Sequence, residues 1–393
     1  MFPITTGLTH FNFSSNTKTY FDYFKHDGYY LCGCFPDHDF FINLASNLDE
    51  NYAYIYNKLE SWKNLSGGIG NSIIEKLKSL KQHEPWLFVI HIMDLHNLFA
   101  LPEDFRNNEF GENDYDKMLS FIDVWIGKFL KEINLKNTLI VISSDHGSYI
   151  PVTGKIPSEI PTIQKIMKKG KKIVPSLEPV GVKMLLLMRK ATREVRMHKL
   201  KKELSEYELR SLNNRGKSEL FEETIRVPLI FAGYGIKNHL IFDNLVRHVD
   251  IFPTISEIVN LQNKNHQKDG RSLVPLLNND KMDELPAYIE TGVSAGDFSE
   301  KINPQSVGQI IGLRTSRYKY LRSRENTTES ILFDLKNDPK ELTNIAEENQ
   351  QIVKELEKKL SNLITATKHA KPDDLTEEEQ RKAEELLKKL GYI

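Results

Sequence analysis

The pattern of apolar and polar residues predicts short buried strands separated by amphipathic helices. The runs 85–93, 138–143 and 227–233 are almost continuously apolar, which is typical of strands covered on both faces, and for 138–143 we predict a parallel strand. Over 114–133, apolar side chains recur at steps of three and four, which predicts a helix with one buried face: Met118, Ile122, Trp125, Phe129 and Ile133. This alternation of helix and strand is typical of a doubly wound α/β fold.

The rest of the chain predicts further helices and a second, smaller sheet. Helices are expected over 59–82, with a break at Ser66-Gly67-Gly68, over 246–261, and from a capping box at Thr376 to the end of the chain. The segments 310–322 and 331–335 alternate as antiparallel strands do. We therefore predict an α/β domain over 1–280, carrying a basic helical insertion at about 151–212, and a C-terminal sheet-and-helix subdomain over 281–393.

Polar residues with metal-binding chemistry follow two of the predicted strands. Asp145 and His146 come directly after 138–143, and Asp94 and His96 follow 85–93. Ligands of open α/β sheets bind beyond the carboxyl ends of the strands, and a carboxylate beside an imidazole can hold a divalent metal. Gly147 permits a sharp turn or a close approach to a ligand. The alternative is a plain strand-end turn in which Asp145 caps the next helix.

Composition excludes several classes of protein. The 393 residues carry a net charge of −1, so charge gives no argument for nucleic-acid binding. No apolar run approaches the roughly 18–20 residues that span a bilayer. The only two cysteines, Cys32 and Cys34, form a C-x-C pair, which excludes a disulfide framework. A reducing compartment, and hence a cytoplasmic location, is expected.

The segment 155–202 departs from this balance. It holds 14 Lys and Arg against 3 Glu, a net charge of +11. A basic amphipathic helix there could lie peripherally on an anionic membrane or bind an anionic substrate. A solvated helix that packs on the domain through its Leu and Met residues is the alternative, and we favour it.

Several segments, in this order, resemble the sulfatase family of the alkaline phosphatase superfamily. WLFVIHIMDLHNLFALPEDF (86–105) resembles the family strand that ends in Met-Asp-x-His. The stretch 115–147, ending in SSDHG, resembles the helix and strand before Ser-Asp-His/Asn-Gly, and RGKSELFEETIRVPLIFAGYGI (215–236) resembles the Gly-Lys segment before Arg-Val-Pro-Leu. Five later segments also match: HVDIFPTISEIVNL, DGRSLVPLL, IGLRTSRYKYLR, LFDLKNDPKELTNIA and LKKLGYI.

The resemblance implies an α/β, alkaline-phosphatase-like fold, with a central, mostly parallel sheet, helices on both faces and a small C-terminal α+β subdomain. It implies a metal-dependent sulfuric ester hydrolase acting on small-molecule or glycan esters. Two alternatives stay open. One is a phosphonate or phosphate monoester hydrolase, or a phosphoglycerol-type transferase, of the same superfamily. The other is an inactive fragment or binding remnant.

The same resemblance assigns roles to individual residues. Asp145 and His146 match metal ligands; calcium is the expected metal, and magnesium, manganese and zinc are the alternatives. His96 matches the histidine that binds the ester near its leaving oxygen, and Lys217 matches the lysine that contacts the ester oxygens. His38 matches a further site histidine, although the lysine that precedes it in the family is Pro36 here.

Two departures from the family pattern affect the expected activity. The family nucleophile lies just upstream of a Thr-Gly pair that matches Thr6-Gly7, so its position, and those of two further metal ligands, fall before Met1. The formylglycine nucleophile is therefore not in this chain, and neither Cys32 nor Cys34 replaces it. We expect no turnover of nitrophenyl sulfate or phosphate by these 393 residues. The second departure is the long insertion before Lys217, which could form a lid or a substrate wall.

Overall fold

The computed structural model of this chain describes residues 18–37, 47–55, 63–96, 101–150, 202–213, 220–237, 239–262, 269–291, 310–324 and 328–367. Several predictions lie outside these ranges: His38, Lys217, the Thr6-Gly7 pair, residues 151–201 of the basic insertion and the terminal helix from Thr376. Within the described ranges, no helix is both long and apolar enough to cross a membrane.

The first sheet contains three parallel strands, with β1 (Tyr30–Pro36) between β2 (Glu50–Tyr54) and β3 (Trp86–Ile90). The centre strand β1 is buried along almost its whole length because it is paired on both edges and covered on both faces. Its Cys32 and Cys34 are free, buried thiols, and burial raises the pKa of both. The cysteines are therefore core residues of this sheet.

Helices cover this sheet. Helix α1 (Tyr20–His26) begins at a capping box formed by Thr19 and Asp22, and it packs against β1. A π-helical turn (Leu65–Ile69) leads into α2 (Gly70–Leu80) at the predicted break. The break has a local cause, because Gly68 adopts a φ of 135°, a conformation that glycine reaches without a steric penalty.

The predicted amphipathic helix is confirmed as α3 (Asp114–Leu130). Its first amides are capped by the side chain of Asn113. Met118, Ile122, Trp125 and Phe129 are buried in one core with residues of α2, β1 and β2. Helix α3 follows two short 3₁₀ turns, Glu103–Phe105 and Asn108–Phe110, and it leads directly to the next strand.

A second sheet pairs β4 (Leu139–Ser143) with β5 (Leu229–Gly233) in antiparallel register. The prediction of a parallel strand at 138–143 is therefore wrong for this pairing, because an apolar run reports burial and not the direction of its neighbour. β4 does run in the same direction as β3. At their starts Asn137 Nδ2 donates to Glu84 Oε1 over 3.4 Å, and at their ends His91 and Asp145 interact electrostatically.

β3 and β4 are not hydrogen-bonded to each other; among the described strands, β3 pairs only with β1 and β4 only with β5. We call the gap between β3 and β4 the seam. Core side chains of α3 pack with Trp86, Phe88 and Ile90 of β3 on one side of it. Both strands are only half-buried, as expected for strands that each have one open edge.

The C-terminal part forms the predicted antiparallel sheet in the order β6 (Ala287–Glu290), β7 (Ile310–Arg314), β8 (Tyr318–Ser323), β9 (Ser330–Asp334). The remaining helices are α4 (Glu206–Asn213), α5 (Glu222–Ile225), α6 (Ile251–Ile258), α7 (Val274–Leu277) and α8 (Gln350–Thr367). Leu356 and Leu360 of α8 are buried against β7 and β8. A 3₁₀ turn, His248–Asp250, precedes α6.

Six charged residues join this C-terminal sheet to α4 and α5, and we call them the buried charge cluster: Arg210, Glu222, Glu223, Arg314, Lys319 and Glu341. Lys319 is fully buried and lies 3.0 Å from Glu222 and 2.5 Å from Glu341. Arg314 lies 2.9 Å from Glu222, and Arg210 lies 2.9 Å from Glu223. With three cations and three carboxylates, the cluster is neutral overall, so each charge has an opposite charge whose attraction offsets its desolvation cost.

Candidate active site

The Ser144–Gly147 corner follows β4 and is held by hydrogen bonds within itself. Ser144 Oγ donates to the carbonyl of His146 over 2.7 Å, and the amide of His146 donates to Asp145 Oδ1 over 3.0 Å. The side chains of Asp145 and His146 are 38% and 63% exposed, so ligands can reach both. These bonds arrange an accessible carboxylate beside an accessible imidazole.

The hydrogen bond of the His146 ring determines which nitrogen is available to a ligand. Nδ1 lies 2.7 Å from the carbonyl oxygen of Gly147. A carbonyl oxygen only accepts, so Nδ1 carries the proton, and in the neutral ring Nε2 presents its lone pair. Asp145 Oδ2 lies 4.0 Å from this Nε2. The corner therefore offers one oxygen donor and one nitrogen donor on the same side.

Gly147 is required by a close approach of two backbone segments. Its amide donates to the carbonyl of Thr224 over 2.9 Å, and a Cβ at this position would lie 2.1 Å from the carbonyl oxygen of Glu223. No other residue type fits there without moving the chain. The approach is thus to α5 rather than to a ligand, and α5 itself belongs to the buried charge cluster.

The end of β3 brings three further polar residues to the same edge. His91 interacts electrostatically with Asp145, His96 and His146, so it lies among three of the predicted site residues. Burial lowers the pKa of His91, which favours the neutral ring. Burial alone would raise the pKa of Asp145, but its interactions with His146 and His91, together with the hydrogen bond from the His146 amide, hold that pKa below its usual range.

Asp94 is buried at 1% exposure, and its Oδ1 accepts a hydrogen bond from the Leu65 amide over 3.3 Å. Its Oδ2 has no hydrogen-bond partner among the described residues. Burial raises the pKa of this carboxyl to about 7. The Asp94 side chain therefore connects two turns, the one that contains His96 and the π-helical turn at Leu65. His96 itself is exposed.

Sequence reasoning missed two histidines at this edge. His91 directly follows β3, and the same strand-end rule that selected Asp94 and His96 could have found it. His248 lies near Asp145 and interacts with the Ser144 backbone, and its buried Nε2 has no partner in the described chain. No pattern around His248 predicts this, because tertiary folding brings it to the corner. Lys217 and His38 lie outside the described residues.

The donors present suit part of a metal site. The described residues contain no group of three or more His, Cys, Asp or Glu side chains arranged to hold a metal ion. Asp145 and the Nε2 of His146 nevertheless have the chemistry of divalent-metal ligands and are accessible from one side. A metal here would take these two donors and complete its coordination with others.

Known proteins resemble this chain in sequence. Residues 5–261 match the family model for Sulfatase, and residues 215–366 match that for N-sulphoglucosamine sulphohydrolase, C-terminal. Arylsulfatase K of Mus musculus is 32% identical over 159 residues, which cover 39% of this chain and 27% of that protein. Choline-sulfatase of Rhizobium meliloti (strain 1021) is 33% identical over 141 residues, 35% of this chain and 25% of that protein. The matched stretch thus spans about a quarter of these relatives (27% and 25%).

Solved structures share the fold. A 2-O GAG sulfatase superposes with a TM-score of 0.59 at 16% identity, covering 93% of this chain and 78% of that one. The phosphonate monoester hydrolase of Agrobacterium radiobacter gives a TM-score of 0.60 at 15% identity, covering 93% and 85%. At these identities the likeness shows the fold alone, which confirms the predicted alkaline-phosphatase-like architecture.

Proposed function

Because the chain belongs to the sulfatase family, we propose that it forms the metal corner and the ester-binding edge of a metal-dependent sulfuric ester hydrolase. The observation that carries the proposal is the position of His91 among His96, Asp145 and His146, at the carboxyl ends of β3 and β4. Open α/β sheets bind their ligands at this edge. The proposed substrates are sulfate monoesters of small molecules or glycans.

The corner residues have distinct proposed roles. Asp145 and the Nε2 of His146 hold a divalent cation, and we propose calcium, since it accepts carboxylate oxygens readily and tolerates irregular coordination. When bound, such an ion polarises the ester oxygens. The Nδ1–H of His146 stays on the Gly147 carbonyl, which fixes the ring so that Nε2 keeps its direction.

The residues at the end of β3 act on the ester itself. His96 is exposed at the edge and hydrogen-bonds the ester near the leaving oxygen, where a proton must be supplied as the S–O bond breaks. His91 is half-buried beside His96 and, as a neutral ring, orients the neighbouring site residues without adding charge. Lys217 supplies positive charge to the non-bridging oxygens; its role rests on the motif that it shares with the family.

Binding measurements test the proposal without requiring turnover. Calcium, magnesium and manganese are titrated into the wild-type chain, Asp145→Asn and Asp123→Asn by calorimetry. Asp123 is an exposed carboxylate on α3 and serves as the control. Loss of a charged ligand should weaken metal binding at least about tenfold in Asp145→Asn, with no change in Asp123→Asn. Equal affinities in all three proteins would refute the metal corner.

The ester class is tested in the same samples. With metal present, 4-nitrophenyl sulfate should bind, and His96→Ala should weaken it by about tenfold, the effect of one lost charge-assisted hydrogen bond. Preferential binding of 4-nitrophenyl phosphate or a phenyl phosphonate would overturn the sulfate assignment in favour of phosphoryl chemistry. The absence of metal-dependent binding of any of these esters would overturn the proposed function altogether.

A further inference from the structure

Helix α5 lies between the Ser144–Gly147 corner and the C-terminal sheet, and it contacts both. Towards the corner, the Gly147 amide donates to the Thr224 carbonyl over 2.9 Å. A Cβ at Gly147 would lie only 2.1 Å from the carbonyl oxygen of Glu223, so no free space separates the two backbone segments. Because close-packed interiors transmit displacements, α5 cannot move towards the corner without moving Gly147 as well.

On its other side, α5 is held by charged side chains of the C-terminal part. Arg314 donates from Nη2 and Nε to the Glu222 carboxylate over 2.9 and 3.4 Å, and Lys319 lies 3.0 Å from the same carboxylate. The Glu222 amide donates to Glu341 Oε2 over 2.8 Å. A helix of four residues is too short to be stable by itself, so contacts of this kind determine where α5 lies.

The position of Gly147 in turn determines the direction of the His146 ring. The carbonyl of Gly147 accepts the Nδ1–H of His146 over 2.7 Å. That hydrogen bond holds the ring and leaves Nε2 to a ligand. A continuous series of contacts therefore runs from Arg314 through Glu222, the backbone of α5 and Gly147 to His146.

We infer that the C-terminal sheet positions His146 through α5, and that Arg314 is the positioning residue. Its planar guanidinium reaches both oxygens of Glu222, so it fixes the direction of that carboxylate as well as its distance. The inference rests on the proposed function where it concerns calcium, since it takes His146 to be a ligand of that ion. The orientation of the ring itself can be measured without metal.

Arg314→Met is the test variant, because Lys319 still compensates the charge of Glu222 when the guanidinium is lost. Arg322→Met is the matched control. Arg322 also belongs to the C-terminal sheet, is buried, and donates from Nε and Nη2 to one carboxylate over 2.7 and 3.1 Å, but that carboxylate is Glu357 of α8. The two variants therefore lose similar ion pairs that hold different helices.

The first measurement is the tautomer of His146 in the metal-free chain. It uses NMR of isotope-labelled histidine rings at about pH 8, where a neutral ring predominates, with His146→Gln to identify the signal. Wild type and Arg322→Met should carry the proton on Nδ1. Arg314→Met should show a mixture of both tautomers, because the Gly147 carbonyl is no longer held beside the ring.

The second measurement is the affinity for calcium, determined by calorimetry. Arg314→Met should bind calcium about tenfold more weakly than wild type, the usual effect of losing a group that orients a metal ligand. Arg322→Met should stay within about twofold of wild type, since its lost ion pair does not hold α5. Circular dichroism establishes that each variant is folded under the conditions of measurement.

The inference requires both quantities to change in Arg314→Met and neither to change in Arg322→Met; any other combination overturns it. Equal losses in the two variants would show a general effect of destabilisation. If Arg314→Met does not fold, Arg314→Lys and Arg322→Lys decide, because lysine keeps the charge and loses the planar fork. If the wild-type chain binds no calcium, the proposed function fails, and the tautomer alone decides the inference.

Discussion

Replacing Lys319 by Met tests the buried charge cluster most directly. The Lys319 side chain is fully buried, lies 3.0 Å from Glu222 and 2.5 Å from Glu341, and donates to the Leu220 carbonyl over 2.9 Å. Methionine keeps much of the length of lysine and removes the charge. Glu222 keeps Arg314 at 2.9 Å, whereas Glu341 is left as a buried carboxylate without its cation.

The expected loss follows from that stranded carboxylate. Removing one partner of a buried ion pair costs about 3–5 kcal/mol, against a total stability of about 5–15 kcal/mol for a folded domain. Burial raises the pKa of Glu341 even with Lys319 present, so protonation of this carboxyl recovers part of the loss. Lys319→Met should therefore be about 3 kcal/mol less stable near neutral pH and closer to wild type in mild acid.

Urea unfolding, followed by tryptophan fluorescence and circular dichroism, measures this difference. Lys359→Met is the control, because Lys359 is half-exposed in an i,i+4 pair with Glu355, and such pairs contribute about 0.3–0.5 kcal/mol. The double variant Lys319→Met/Glu341→Gln should regain at least about 1 kcal/mol, since its stranded charge is gone. A single variant as stable as the control, or a double variant no better than the single one, would refute the reasoning.

Two further predictions concern the site. The pKa of Asp94 is raised from 3.8 to about 7. The contribution of this carboxyl to stability is therefore full below pH 4 and is lost as pH rises through about 7. The free energy of unfolding of Asp94→Asn, measured by urea unfolding across pH, should match that of wild type in acid and exceed it by up to about 4 kcal/mol at pH 8. Equal pH dependence in both proteins would contradict this. Gly147→Ala places a Cβ 2.1 Å from the Glu223 carbonyl oxygen, so it should lower Tm and weaken metal binding. Gly127→Ala in α3 is the control, because a Cβ there would have no atom within 4 Å; it should raise stability by about 0.5–1 kcal/mol. Gly147→Ala with wild-type Tm and metal affinity would show that the corner tolerates a side chain.

Local sequence patterns predicted these helices and strands because each one depends on residues that are close together in the sequence. Helix α3 is confirmed from the spacing of Met118 and its apolar partners, and the antiparallel C-terminal strands from their alternation. The strand-end rule also selected Asp145, His146 and His96, and His91 interacts with all three at the ends of β3 and β4. Predicting these features requires only the spacing of apolar residues along the sequence and the positions at which the strands end.

Features that depend on distant segments could not be read from the sequence. The antiparallel pairing of β4 depends on the path of the chain between residues 143 and 229. His248 reaches Ser144 only through the packing of α6, and Gly147 is needed because α5 lies against it. A hydrophobic run or a short motif carries no information about which remote segment will meet it.

The seam between β3 and β4 divides the candidate site into two halves. His91 and His96 lie on one side, while Asp145 and His146 lie on the other, and within the described chain no backbone hydrogen bonds join the two strands. The sheet hydrogen bonds of the described residues therefore do not couple the two halves. A ligand that contacts both sides would couple them, and its binding free energy would appear as resistance of this seam to local unfolding.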